Sequence, residues 1–137
     1  MASATYTAVN NSLGIASYAM KAGEAITAGR ALKLDSTEGQ VLHTTAITDT
    51  VVGVALETVA SGEMVAIAPP GTFVRMCPSA AVSLGAQVMP TGSGAGKVST
   101  AAGATAKSCG IAFTEAGAAD EFFTVLLVCG VNGPANS

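Results

Sequence analysis

The residues in this chain that could do chemistry are few and scattered. His43 is the only histidine, and the cysteines are Cys77, Cys109 and Cys129. No C-x-x-C pair occurs, and the run His43-Thr44-Thr45 offers no metal-ligand spacing, so a zinc cluster is not indicated. A Cys–His nucleophile pair would have to join His43 to Cys77 or Cys129, and nothing nearby in sequence activates either thiol. The stretch from Thr91 to Val98 invites a phosphate-loop reading. It fails because Thr91 stands where glycine is needed and Val98 where Ser or Thr is needed. No helix pattern follows it to present an N-terminus to phosphate. The carboxylates Glu57, Glu63, Glu115, Asp120 and Glu121 could in pairs serve glycoside hydrolysis. They sit beside turn signals, however, and a chain with no Trp and two Tyr is poor in sugar-stacking side chains. These patterns predict no catalytic site, no cofactor and no metal.

The elements that would have to position such residues are short strands. Val52, Val54 and Leu56 alternate with Gly53, Ala55 and Glu57, the period of two that a half-buried strand requires. A second strand, Glu63 to Ala68, follows across the small-residue turn Thr58 to Gly62, and Pro69-Pro70-Gly71 ends it. The same unit recurs about 57 residues later. Cys109 to Thr114 repeats Val52 to Glu57, and Glu121 to Val125 repeats Glu63 to Ile67. Upstream, Ala25 to Gly29 resembles Ala81 to Gly85, and Gly39-Gln40-Val41 resembles Gly96-Lys97-Val98. The offset drifts from 56 to 58, as single-residue loop insertions would make it. Two copies are too few for a solenoid. One body of two related halves is expected, an all-β antiparallel barrel or sandwich.

The expected organisation is an extended N-terminal arm over 1–20, a β-domain over 21–129 containing repeats at about 25–71 and 81–129, and a flexible tail over 130–137. Val54 and Ile111 are expected at equivalent inward positions. Val52, Leu56, Val65, Ile67, Phe113, Phe123, Val125 and Leu127 are also expected inside. Cys109, standing where the first copy has Val52, is expected as a buried reduced thiol.

Composition narrows the function classes. Of 137 residues, 27 are alanine and 16 glycine, while Leu, Val, Ile and Phe total 31. That is about 23%, enough for a thin core but not far above the disordered range. Charged residues make up 11% with a net charge of −3. No basic patch is present, so direct nucleic-acid binding is disfavoured. No run of about 18 apolar residues marks a membrane span, and the start lacks the pattern of a secretory signal. Synthesis in a reducing cytoplasm fits. Residues 1–20 carry no charge and few large side chains. Four such residues do not offset the ordering entropy of twenty. Tyr6, Leu13, Ile15 and Tyr18 are therefore candidate contacts to a partner or to a neighbouring copy.

The patterns Ala22 to Gly29, Val52 to Leu56 and Ala60-Ser61-Gly62-Glu63, with Ser83 to Val88, Gly96-Lys97-Val98 and Gly110 to Phe113, resemble the capsid decoration, or cement, proteins of tailed bacteriophages. The resemblance covers roughly residues 20–129. It implies a small all-β protein on the outer surface of the virion. There it would bridge neighbouring major capsid proteins and stabilise the head, as a homotrimer by preference or a dimer as the alternative. A carbohydrate-binding or host-adhesion module on the virion, or a small hydrolase, are the rival classes. The adhesion module needs exposed aromatics on one strand face; the hydrolase needs a cleft that gathers carboxylates.

Overall fold

The computed structural model describes residues 17–91, 95–102 and 107–132. Ten strands form: β1 Tyr18–Ala22, β2 Ala31–Leu34, β3 Gln40–His43, β4 Gly53–Ala55, β5 Met64–Ala68, β6 Phe73–Met76, β7 Gln87–Pro90, β8 Val98–Thr100, β9 Lys107–Ala112 and β10 Phe123–Asn132. Among the described residues there is no helix. The first five strands close into a barrel in the order β1-β3-β2-β4-β5, and the last five form a sheet in the order β6-β10-β9-β7-β8.

The two orders are the same. β1 closes the barrel by pairing antiparallel to β5 and parallel to β3, with Ala22 opposite Val41. In the second half β6 pairs antiparallel to β10, and the parallel closure shrinks to one bridge between Pro78 and Val98. The antiparallel bridge Ile26–Val59 likewise recurs as Val82–Ala116. Left-handed backbone occurs at Gly29 and Gly85, at Gly39 and Gly96, and at Gly62 and Asp120. Those pairs are spaced by 56, 57 and 58 residues, the drift seen in the sequence. The protein is all-β and built from two similar halves.

Each half has its own interior. In the barrel Ala22, Ile26, Leu32, Val41, Ala55, Val65 and Ile67 form one buried cluster. Their counterparts Val82, Val88, Val98, Ala112, Phe123 and Val125 belong to a second cluster, which also takes in Ala31, Val51, Val54 and Ala68 from the first half. The outer wall of the barrel is thus covered by the second half.

This arrangement reverses part of the expected inside-out pattern. Val54 and Ile111 are equivalent, but they point out of their own halves; Val54 is buried only because the second half covers it, and Ile111 is half-buried. Leu56 and Phe113, on the same parity, are exposed at 45% and 49%. Val52 is half-buried against the barrel cluster. The alternation identifies two faces, and the narrow interior takes the small residues Ala55 and Ala112 rather than the bulky ones. Val65, Ile67, Phe123, Val125 and Leu127 are buried as expected.

The ends of the body also shift. Tyr18, assigned above to the arm, opens β1, and β10 runs past Cys129 to Asn132 with an irregularity between Leu127 and Val131. Tyr6, Leu13 and Ile15 lie outside the described residues.

Both halves depend on the absence of one side chain. A Cβ on Gly53 would run into Ile67 Cγ2 and lie 2.6 Å from the Ala68 carbonyl oxygen. A Cβ on Gly110 would meet Val125 Cγ1 and lie 2.7 Å from the Leu126 carbonyl oxygen. Close strand approach of this kind is one of the uses of glycine in a sheet. Gly110→Ala is expected to destabilise the fold by about 1–3 kcal/mol, the usual cost of overpacking. The measurement is the urea midpoint, with the slope unchanged.

Candidate functional site

Of the sequence candidates for chemistry, His43, Cys77, Glu57, Glu63, Asp120 and Glu121 are held by local partners. Among the described residues no group of three His, Cys, Asp or Glu side chains is placed to hold a metal ion. The 91–98 stretch joins β7 to β8, which pair antiparallel with Pro90 opposite Val98. The element that follows the stretch is strand β8, not a helix.

Glu63 and Glu121 act as acceptors within turns, at matching places in the two halves. Glu63 Oε1 accepts the Ala60 N–H at 3.0 Å, and Glu121 Oε1 accepts the Gly117 N–H. Glu57 Oε2 accepts the Ala66 N–H at 3.0 Å, while its counterpart Thr114 uses Oγ1 to accept the Thr124 N–H at 2.8 Å. Asp120 pairs with Lys97 at 2.7 Å and accepts the Cys77 thiol at 3.4 Å. The hydrogen bond from Lys97, with that from Cys77, holds the Asp120 carboxyl below its usual range. Burial, reinforced by the Asp120 hydrogen bond, pushes the Cys77 thiol up, the opposite of an activated nucleophile.

His43 is buried, not a surface residue. Its Nε2 accepts the Thr27 N–H at 3.1 Å, so the proton belongs on Nδ1, 3.5 Å from Glu24 Oε2. The same carboxylate oxygen accepts the His43 N–H at 2.9 Å. Burial drives the imidazole below its ordinary value; Glu24 opposes the shift, and Arg30 adds to it.

A concavity of about 540 Å³ is lined by Lys33, Asp35, Asp49 and their neighbours. Its charges are spent internally: Lys33 Nζ lies 3.4 Å from Asp49 Oδ2, which also accepts the N–H groups of Thr45 and Ala46 at 2.7 and 2.9 Å. Burial works to raise the Asp49 carboxyl, but these two N–H donors and Lys33 outweigh it and hold it below its ordinary value.

What the surface does offer is an apolar strip. Phe122 lies against Gly29, and with Ala28, Ala55, Leu56 and Phe73 it lines a groove of about 460 Å³. Phe73 stands edge-to-face on Phe113, their centroids 5.0 Å apart. Phe113 in turn lines a second groove, of about 250 Å³, with Leu84, Gly85 and Ile111. Leu84 is 68% and Phe73 60% exposed, a concentration of large apolar side chains of the kind that marks contact surfaces. The sequence reading placed Leu56 and Phe113 inside and so missed this strip. The signal was present in the repeat itself, which sets Leu56 and Phe113 at one equivalent position.

Tyr18 is not available as a free contact. Its hydroxyl donates to the Val52 carbonyl at 2.8 Å, and its ring packs on the barrel cluster.

A model of the phage cement protein family matches residues 43–127. The chain belongs to that family of phage structural proteins. A sequence search of curated proteins finds no match. Among solved structures, the N base of the head fiber gp8.5 of bacteriophage phi29 aligns with a TM-score of 0.66 at 17% identity, covering 82% of this chain and 92% of that one. At that identity the likeness shows a common fold. The match to the cement family includes the five large exposed side chains of the apolar strip, Leu56, Phe73, Leu84, Phe113 and Phe122.

The buried imidazole gives the cement protein a testable acid response. The folded-state pKa of His43 lies below the unfolded one, so the native state binds fewer protons. Its contribution to stability is complete above the unfolded value, about 6.5, and is lost as pH falls below it. His43→Gln, which keeps an acceptor for Thr27, should flatten the stability profile between about pH 6.5 and 5, above most carboxylate titrations. Denaturant melts across that range provide the check.

Proposed function

We propose that this cement protein binds the outer surface of the phage head. There it bridges neighbouring major capsid proteins and stabilises the shell, working as a homotrimer, with a dimer as the alternative. The observation that carries the reading is the family match over residues 43–127, on a surface whose accessible feature is an apolar strip rather than a cleft of converging polar groups. Burying such a strip between subunits or against a shell adds stability in proportion to the apolar area removed from water. We include residues 1–16 in the contact, with Tyr6, Leu13 and Ile15 as anchors, because the uncharged segment gains most by ordering against a partner.

The test uses heads lacking the protein, from the phage that encodes it. Purified protein should cosediment with them saturably and raise the temperature at which they release DNA. Binding without added resistance, or no binding, would sink the reading. Removing residues 1–16, and stopping short of β1, should leave the β-body folded and weaken head binding by about tenfold or more, ~1.4 kcal/mol per tenfold. Glu57→Ala or Glu115→Ala should change binding by less than about 1 kcal/mol, as expected of exposed positions.

A further inference from the structure

The two grooves of the apolar strip are the same groove in the two halves. Ala28, Gly29, Ala55 and Leu56 of the first correspond by the repeat to Leu84, Gly85, Ala112 and Phe113 of the second. The first is covered at its Gly29 end. Phe122 of the second half sits on it, close enough that a Cβ on Gly29 would run into the ring, and Gly29 is buried. The second is open: nothing lies within 4 Å of a Cβ on Gly85, which is exposed.

The wall beside each groove repeats the contrast. Val54 pairs across strands with Ala68, and both are buried, at 0% and 3%, under the second half. The equivalent pair, Ile111 and Leu126, is bulkier and only half-buried. The ridge residue has a counterpart as well. Phe122 corresponds to Met64, which is 58% exposed and lines neither of these grooves.

We infer that the open groove of Leu84, Gly85, Ile111 and Phe113 receives Met64 of a second copy of this chain, repeating between chains the contact that Phe122 makes within one. The inference rests on the oligomeric part of the proposed function and supplies its interface. Each chain then carries one ridge and one groove on different surfaces, a heterologous contact that closes into a ring when the rotation permits. Methionine suits the role, since its unbranched thioether adapts to a groove edged by Leu and Phe. What recurs is the apolar seat. The backbone bonds across the intramolecular joint are not all repeated, because Lys21 N, the counterpart of Cys77 N, already donates to Gly39 O at 3.2 Å within its own half.

The test is cross-linking. Protein carrying Met64→Cys and Leu84→Cys, in a Cys129→Ser background, is oxidised mildly both in solution and on heads. Covalent oligomers are expected from the pair and not from either substitution alone. Leu84→Lys in the otherwise native chain should weaken self-association at least about tenfold by sedimentation, ~1.4 kcal/mol. Absence of cross-linked species in solution and on heads, or unchanged self-association of Leu84→Lys, overturns the contact. Heads that bind the paired variant without cross-links overturn the contact while leaving the decoration reading standing. Cross-links in solution with no uptake by heads leave the contact and remove the decoration reading.

Discussion

The seating of Gly96 on the wall of the first barrel makes two small β units into one body. Its carbonyl accepts the Ala31 N–H at 2.7 Å, and its own N–H donates to Thr44 O at 3.0 Å, a reciprocal pair that extends the barrel ladder into the second half. A Cβ there would lie 2.7 Å from Arg30 Cβ and 2.9 Å from the Ala31 carbonyl oxygen. The joint requires both the missing side chain and the left-handed φ of 86°. Cys77 N to Gly29 O at 3.0 Å and Arg30 Nη1 to Ala95 O at 3.0 Å lie beside it. The joint also carries a penalty: Arg30 Nε and Thr44 Oγ1 are buried without a hydrogen-bond partner among the described residues, each costing on the order of 1–3 kcal/mol. Covering Ala31, Val51, Val54 and Ala68 works in the other direction, and small units of this size are marginal alone.

Duplication followed by docking leaves an asymmetry that neither half has in isolation. A wall that is apolar enough to be covered in the first half is present, in bulkier form, in the second. An apolar wall of that kind suits contact with another protein. The polar groups here are consumed locally. Glu63 and Glu121 accept turn N–H groups, Glu57 accepts the Ala66 N–H of β5, Asp49 is tied to Lys33, and His43 is locked between Thr27 and Glu24.

Much of the fold was legible because the turns carry their own chemistry. Gly29, Gly39 and Gly62, with their counterparts Gly85, Gly96 and Asp120, mark strand boundaries through backbone conformations that few residues tolerate. The orientation of β4 and β9 was not legible. A two-residue period defines two faces, and choosing the bulkier as the inner one assumes that the interior has room. In the two halves Ile67 and Val125 lie across Gly53 and Gly110, and Ala55 and Ala112 fill what remains. Val54 and Ile111 are therefore displaced outward, together with Leu56 and Phe113. Tyr18 was misread for a related reason. A tyrosine in an uncharged stretch satisfies the requirements of a docking arm, but equally those of a barrel strand when a carbonyl such as that of Val52 lies within reach of its hydroxyl.

The differences between the copies gather at the joint. Where the first half has Gly62, the second has Asp120 at a φ of 66°, in the left-handed region that Asp tolerates better than most residues. What it loses in backbone ease it returns through its carboxylate, which holds Lys97 and the Cys77 thiol. Lys97 follows Gly96, and Cys77 N bonds Gly29, so this one side chain links the two backbone segments by which the second half grips the first. Gly62 cannot make the same link around Gly39, beside which an added Cβ would meet nothing within 4 Å. The second copy is thus specialised to grip a barrel wall, while the first keeps the same turns unlinked and its own ridge, Met64, at the surface.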